Sequence, residues 1–488
     1  MQSPKITFSE ENIQKLFGHE AAEDESFERL QSYYIKNKTH DKVVADLPLR
    51  VLVGHKGIGK SALFKIAMSE EEENGRLPIL IKPDDIADLA HDSSDFHLII
   101  REWKHGLINI IANKVLQCFG KNGEESKFKK IVGYGGQLMS LLTESAQKLV
   151  GEVDLDPARK KLIGAFLSSR KIIIYIDDLD RGWQSKKADI TRISALLNAV
   201  RDISNENAGI QFRISLRSDV YFLVRTSDES TDKIEGSVIW HSWTNHEILL
   251  LLIKRIESFF GRDCDIERLK NLRQQQLSFY LDTVFEKRFS DVGKWSNAAM
   301  YRILMSLIRK RPRDLVKLCT LAARHAYDNN NNLITTDDLK AIFEDYSHGR
   351  IQDTVNEFKS ELPQIERLLL NMKPSSKEQR EGLGYMYDTS RLKQKLRNIS
   401  TRGQFVFQNG KQASETELIQ FLYKVNFITA RKRLDSGEID RKYFEENRLL
   451  TSQVVNFGYD WEIHPAFRWA LLPESAQELF KQIDLSAD

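Results

Sequence analysis

The segment that most constrains this chain is Gly54-His55-Lys56-Gly57-Ile58-Gly59-Lys60-Ser61, which fits the spacing G-x-x-x-x-G-K-[ST]. Its flanks suit it. Residues 49–53 (LRVLV) are a short apolar run that reads as a buried strand. A helical pattern starts near Ser61 and runs to Glu73. Gly54, Gly57 and Gly59 let backbone N–H groups turn inward around phosphate oxygens, where a Cβ would clash. The helix N-terminus behind the loop adds partial positive charge. Lys60 is placed for the β- and γ-phosphates, and the Ser61 hydroxyl for Mg²⁺. The expected nucleotide-binding set is Gly54, Lys56, Gly57, Ile58, Gly59, Lys60, Ser61 and Ala62. His55 and Lys56 fill variable positions, with no role beyond solvent or the phosphate edge.

The rest of the N-terminal half supplies strands for such a loop. Residues 78–82 (PILIK), 171–176 (KIIIYI) and 210–216 (IQFRISL) alternate with helical patterns. That alternation over residues 40–225 predicts a parallel sheet with flanking helices. Residues 9–38 read as one helical arm. Residues 95–170 read as a helical insertion with Gly-bearing breaks near Gly120–Gly123 and Gly133–Gly136. Helical periodicity then dominates 245–260, 267–288, 297–308, 311–328 and 335–346, and a polar break covers 373–384. The tail mixes short helices with aromatic strands such as Gln404–Gln408 and Val454–Ile463. The expected architecture is an α/β P-loop NTPase core with a helical insertion and a helical lid, plus a small C-terminal α+β domain. A winged helix is one candidate for the last. The expected boundaries are an arm over 1–45, a core over 46–240 with the insertion at about 90–168, a lid over 241–350 and a C-terminal domain over 360–488.

Residues 172–178 (IIIYIDD) are an apolar strand ending in two carboxylates. Beside the loop strand, Asp177 would hold Mg²⁺ through water, and Asp178 would orient the attacking water. The plainer reading is an ordinary strand end. Arg217 follows the strand 210–216 and reads as a γ-phosphate sensor or as one half of a surface ion pair. Arg181 reads as an arginine finger acting in trans in an oligomer, or as a salt bridge to Asp178 or Asp180. Arg313 follows Pro312 at a helix start. It would reach the nucleotide from a closing lid, or sit at a solvated helix end.

Composition narrows the partners. Lys+Arg 72 against Asp+Glu 70 leaves +2 over 488 residues, so no strong field points to nucleic acid or an anionic membrane. Two local basic stretches, Arg309–Arg313 and Arg431–Arg433, read as solvated faces or as contacts with nucleic acid or an acidic partner. Cys118, Cys264 and Cys319 lie far apart, with no disulfide framework or metal spacing, as in a reducing compartment. There is no run of 18 apolar residues and no apolar leader, so the expectation is a cytoplasmic protein with no membrane span. No H-E-x-x-H or G-x-S-x-G occurs.

Asp177-Asp178-Leu179-Asp180-Arg181-Gly182-Trp183 resembles the DDLDR signature of the KAP-type P-loop ATPases, close to the STAND class. Lys56–Leu63 (KGIGKSAL) and Ile176–Trp183 (IDDLDRGW) together are similar to the paired motifs of one bacterial group within it. Phe17-Gly18 through Tyr33-Tyr34 resembles that group's leader helix. Arg311–Asp314 with Tyr346-Ser347 resembles its helical lid. The resemblance spans about residues 15–350. It implies ATP and Mg²⁺ as cofactors and an ATP-driven switch in bacterial anti-phage defence or a related mobile-element system. Such a switch relays its nucleotide state to a protein effector or trigger, and a homo-oligomer is open. The lack of a guanine-reading N-K-x-D agrees with ATP. The long C-terminal repeats of larger STAND proteins are absent. The alternative reading is a DNA-binding ATPase whose nucleotide state gates nucleic-acid contact through a C-terminal winged helix. A nucleotide-stabilised scaffold with little turnover is a third.

Overall fold

The computed structural model describes residues 6–89, 95–120, 138–150, 157–227, 229–381, 384–435, 439–448, 458–471, 479 and 483–485. The chain forms two compact units. One holds residues 36–55 and 60–241, the other residues 1–35, 56–59 and 242–488.

The first unit is built on five parallel strands: β1 (Leu49–Val53), β2 (Leu77–Ile81), β3 (Ile172–Ile176), β4 (Ile210–Leu216) and β5 (Val238–Trp240). Their order is β2-β3-β4-β1-β5. Four match the runs read from the sequence to within a residue. β5 was missed, because three residues carry too little periodicity to register. One expectation is corrected: β3 does not lie beside β1, since β4 runs between them. The interior strands β3 and β4 are wholly buried, β3 over five residues and β4 over seven, so each takes a neighbour on both edges and cover on both faces.

Register assigns the faces. Leu49, Val51 and Val53 stand level with Phe212, Ile214 and Leu216, and Ile172, Ile174 and Ile176 level with Ile210, Phe212 and Ile214. These residues join one core with Trp103, Leu107, Ile111 and Val115 of the helix Phe96–Cys118, and Leu196, Val200 and Ile203 of the helix Lys187–Glu206. The helices Leu138–Val150 and Pro157–Ser169 add Leu142, Ala146, Leu149, Ile163 and Phe166. The helical insertion is therefore part of the layer that covers the sheet. Of its Gly-bearing breaks, residues 121–137 lie outside the described residues. The opposite face carries Tyr175, whose ring meets Phe64 edge-on at 5.0 Å between centroids. Phe64 belongs to the helix Lys60–Glu73, so that helix covers the second face.

The second unit is mainly helical. The arm is not one helix. It breaks into Glu10–Phe17 and Phe27–Tyr33 because Gly18 turns left-handed at φ 78°. The pattern over 267–288 also breaks into Ile266–Lys270, Gln274–Leu277 and a 3₁₀ turn at Ser278–Thr283. The last expected helix instead runs unbroken from Thr336 to Phe358, with Tyr346 and Ser347 buried mid-helix.

The tail forms a second sheet, β6 (Met386–Tyr387), β7 (Ile428–Arg433), β8 (Ile439–Lys442) and β9 (Asp460–Ile463), antiparallel and ordered β6-β9-β7-β8. Two helices, Thr389–Ser400 and Glu415–Lys424, stand between β6 and β7. Strand, helix, helix and three further strands is a winged-helix order with β8 added at the edge. Residues 454–457 of the expected tail strand lie outside the described residues. The stretch read as a strand over 404–408 makes only a single bridge, Val406 to Gln412.

Candidate functional site

β1 ends at Val53 and the loop begins. Gly54 N–H donates to the Leu216 carbonyl at 3.1 Å, which seats the loop at the C-terminal ends of β1 and β4. Gly57 and Gly59 adopt φ 77° and 98°, the left-handed region that favours glycine. Gly57 is needed twice over, since a Cβ there would lie 2.9 Å from Arg313 Cβ. Lys60 opens the following helix, and its ammonium donates back to the Gly54 and His55 carbonyls at 2.9 and 3.2 Å. The side chain therefore lies over the loop, where a bound phosphate would be met. Ser61 and Ala62, both half-buried, fill the first turn of that helix.

The loop's variable positions are less idle than their place in the motif suggests. His55 is fully buried, and its Nδ1 shares a hydrogen bond of 2.9 Å with the Ser218 hydroxyl. This corrects the expectation of a solvent-facing histidine. Lys56 exposes its side chain, while its N–H donates to Glu357 Oε1 at 3.3 Å. Ile58 is buried, and its carbonyl accepts from the Trp243 indole at 2.7 Å. Arg313 N–H donates to the Gly57 carbonyl at 3.3 Å, and its Nε to the Glu20 carbonyl at 3.0 Å. Arg313 thus touches the loop through its backbone, with its guanidinium turned to Glu20.

The acid strand meets the same side of the sheet as the loop helix. Ile176 is level with Ile214, so Asp177 comes level with Ser215 of β4, on the face where Tyr175 packs against Phe64. Ser215 donates its hydroxyl proton to Asp177 Oδ1, and Asp178 N–H donates to the same oxygen at 2.9 Å. Ser215 thus orients the Asp177 carboxylate, a contact absent from the sequence reading, whose signal is the one hydroxyl of β4 (IQFRISL) on the face that also carries Gln211 and Arg213. Asp178 is exposed and left-handed at φ 61°, a conformation Asp tolerates better than most residues. The chain turns there, with Arg181 N–H donating to the Asp178 carbonyl at 3.0 Å.

The arginines differ in their surroundings. Arg181 is exposed on that turn. Arg217 is buried and grips Asp219 with two bonds, Nε to Oδ1 at 3.0 Å and a terminal nitrogen to Oδ2 at 2.6 Å. Its other terminal nitrogen lies 3.4 Å from Asp180. The ion pair foreseen for it exists, but in the interior and shared between two acids.

Neither reading of the basic run Arg309–Arg313 survives. Arg309 is buried and holds Asp314 through Nε at 2.8 Å and a terminal nitrogen at 3.0 Å. Arg350 shares Oδ1 of Asp314 with Arg309, donating to it at 2.6 Å, and buried Arg311 lies 3.5 Å from Glu357. Burial opposes ionisation of Asp314, yet the Arg309 and Arg350 guanidiniums hold its carboxyl well below the usual carboxylate range. The run is an interior ion-pair network, neither a solvated face nor a nucleic-acid patch. The tail triplet is partly neutralised too, since Arg431 pairs with Glu462 at 3.4 Å and Asp484 at 2.6 Å. Among the described residues there is no cluster of three or more His, Cys, Asp or Glu poised for a metal. No described helix is long and apolar enough to cross a membrane.

A parallel sheet whose first strand runs through a glycine-rich loop into a helix, with an acid at the tip of a nearby strand, defines the P-loop NTPase fold. Comparison with known proteins gives the following similarities. A family described as the FunZ-associated C-terminal helical domain matches residues 248–355. The putative transposon gamma-delta 80.3 kDa protein of Escherichia coli K12 is 22% identical, covering 96% of this chain and 70% of its own. The Walker-type ATPase PabY2304 of Pyrococcus abyssi has a TM-score of 0.41 at 13% identity, over 92% of this chain and 97% of that one. The ORC2 protein of Aeropyrum pernix, in its ADPNP–ADP complexes, has a TM-score of 0.39 at 12% identity, over 89% and 88%.

Proposed function

We propose that this chain is a Mg²⁺-dependent ATPase that acts as a nucleotide-driven switch. The observation that carries the reading is the Lys60 ammonium resting on the Gly54 and His55 carbonyls. The acid at Asp177 lies on the sheet face that the Lys60 helix covers. ATP enters with its phosphates along the N–H groups of Gly57 to Ala62, and Lys60 swings from the carbonyls to the β- and γ-phosphates. Ser61 and Asp177 are the residues that would hold Mg²⁺, which supplies charge neutralisation at the β/γ oxygens. Asp177 has its Oδ1 engaged by Ser215 and Asp178 N–H, so its carboxylate is oriented before any ion arrives. Asp178 orients the water that attacks the γ-phosphorus in line as the bond to the β-bridging oxygen breaks. Arg181 is the candidate finger in trans. Arg217, held by Asp219 and Asp180, senses the γ-phosphate only by leaving those partners. Arg313 and Glu357, bonded to the Gly57 carbonyl and the Lys56 N–H, carry the loop's state to the helices they begin and end.

The KAP/STAND placement and a defence setting rest on the paired motifs. The transposon name of the E. coli relative favours the mobile-element setting. A second reading, in which nucleotide state gates DNA contact, draws on that name and on the winged-helix order of the tail. Titration with a fluorescent ATP analogue and Mg²⁺ tests the primary reading. Lys60→Ala should weaken binding at least tenfold, and unchanged binding would refute the assignment.

A further inference from the structure

The winged-helix order directs attention to the helix Glu415–Lys424, the second of the pair and the one that reads bases in helix-turn-helix proteins. Here it is unavailable. None of its 10 residues is exposed, its first turn is acidic at Glu415 and Glu417, and its one cation, Lys424, is buried against Glu361. The positive charge lies elsewhere. Residues 373–402 hold eight Lys/Arg against three Asp/Glu, while the whole chain carries only +2. The exposed face of the helix Thr389–Ser400 presents Arg391, Gln394, Arg397 and Asn398 at helical spacing, with Arg402 just beyond; Arg397 pairs with Glu415 at 3.1 Å and Arg391 with Asp388 at 3.5 Å, both at the surface. Beside it opens a cleft of about 540 Å³ lined by Lys377, Arg391, Gln394, Lys395, Asn398 and Arg402. Two acids also line it: Glu378 is already bound by Lys395 at 2.8 Å, and Glu381 is exposed.

We infer that this cleft and helix face bind the phosphate backbone of double-stranded DNA without reading sequence. Guanidiniums and ammoniums interleaved with Gln and Asn amides are the groups that contact phosphate and sugar oxygens. An acidic protein partner fits less well. Protein interfaces centre on aromatic or aliphatic anchors, and of the cleft's apolar side chains, Met386 is half-buried while Tyr387 and Ile399 are buried. With the helix Glu415–Lys424 packed away, the element that would enter the major groove in such a fold offers no exposed side chain, so binding depends on charge. The inference deepens the second reading above and takes from it only that the partner is nucleic acid. It is tested without nucleotide, and with Lys60→Ala alongside, so it stands or falls apart from ATP chemistry.

The experiment is fluorescence anisotropy of the full chain with two labelled duplexes of unrelated sequence, from 50 to 200 mM salt. Three to four phosphate contacts predict a loss of about 40- to 150-fold across that range, at about 0.9 in log–log slope per contact. The two duplexes should bind equally, and Lys60→Ala should bind as wild type. The double variant Arg391→Ala/Arg402→Ala, both exposed positions, should weaken binding at least tenfold at 50 mM and lower the slope by about 2. Lys377→Glu alone should weaken it severalfold, while Lys432→Glu/Arg433→Glu on β7 should change it less than twofold. No binding at 50 mM, wild-type affinity in the double variant, or a strong preference between duplexes would overturn the inference. So would competition by polyglutamate as effective as by unlabelled duplex, which would make the partner an acidic protein.

Discussion

At Gly57 two constraints coincide. Its φ of 77° costs an L-residue roughly 1–2 kcal/mol. A Cβ would also come within 2.9 Å of Arg313 Cβ, a backbone-linked carbon that cannot swing aside. Gly57→Ala should therefore lower the thermal midpoint and weaken nucleotide binding at least tenfold, read by unfolding and by titration on one sample. Asp178 offers the complementary test. Asn also accepts left-handed backbone, so Asp178→Asn should fold as wild type and bind ATP, with turnover reduced on the order of a hundredfold or more. Turnover at the wild-type rate would remove Asp178 from the chemistry. The glycine-rich turn over Gly54–Ser61 was legible in the sequence because the motif fixes residue types at fixed offsets, and the place of Asp177-Asp178 at a strand end because an apolar run precedes them. Ser215 was not, because its partner Asp177 is 38 positions away in sequence and adjacent only through β3–β4 register.

Among elements, the helix Pro312–Asp328 shows how one acid organises a basic run. Asp314→Asn would leave buried Arg309 without its counter-charge and Arg350 with Asp353 alone, a loss of about 3–5 kcal/mol. A chemical-denaturation midpoint close to wild type would contradict the network. The tail holds a second such centre. Glu462 accepts from Arg441 at 2.9 Å and from Arg468, and Arg431 lies 3.4 Å away. Burial opposes its charge, but these guanidiniums bring its carboxyl down to about 2. Beside it, burial and Arg441 push His464 well below the usual histidine range, so it stays neutral when folded. Both groups bind more protons unfolded than folded, so both lose stability as pH falls. His464 contributes below about 6.5, and Glu462 between about 4.5 and about 2. The unfolding midpoint should decline from pH 6.5 downward and steepen below 4.5. A midpoint unchanged between pH 7 and 4 would refute this. Local patterning could not reveal these pairs, because a run such as RKRPR looks the same whether it faces water or Asp314.

For the molecule as a whole, the parallel sheet was legible because buried strands are near-continuous apolar runs and the loop anchors one of them. Strand order was not, since apolar runs carry no neighbour information. The placement of β4 between β1 and β3 emerged only from pairing. The arm's break at Gly18 depended on a positive φ that the helical spacing on either side concealed. The tail's winged-helix order was foreseen as one candidate, but the use of its surfaces was not. The basic triplet at 431–433 drew attention, whereas charge and exposure favour residues 373–402. If the loop is a working nucleotide site, Mg²⁺-ATP at a hundred times its dissociation constant should stabilise the fold by about 2.7 kcal/mol. At the same ligand concentration that gain should fall to about 1.4 kcal/mol or less in Lys60→Ala.

The most direct measurement of the central claim is phosphate release from ATP by the purified full chain with Mg²⁺, compared with Lys60→Ala and with a Mg²⁺-free control. The prediction is turnover in the wild type that falls at least a hundredfold in Lys60→Ala and is lost without Mg²⁺. Equal release by wild type and variant, or release indifferent to Mg²⁺, would contradict the assignment of the Gly54–Ser61 loop as the seat of hydrolysis.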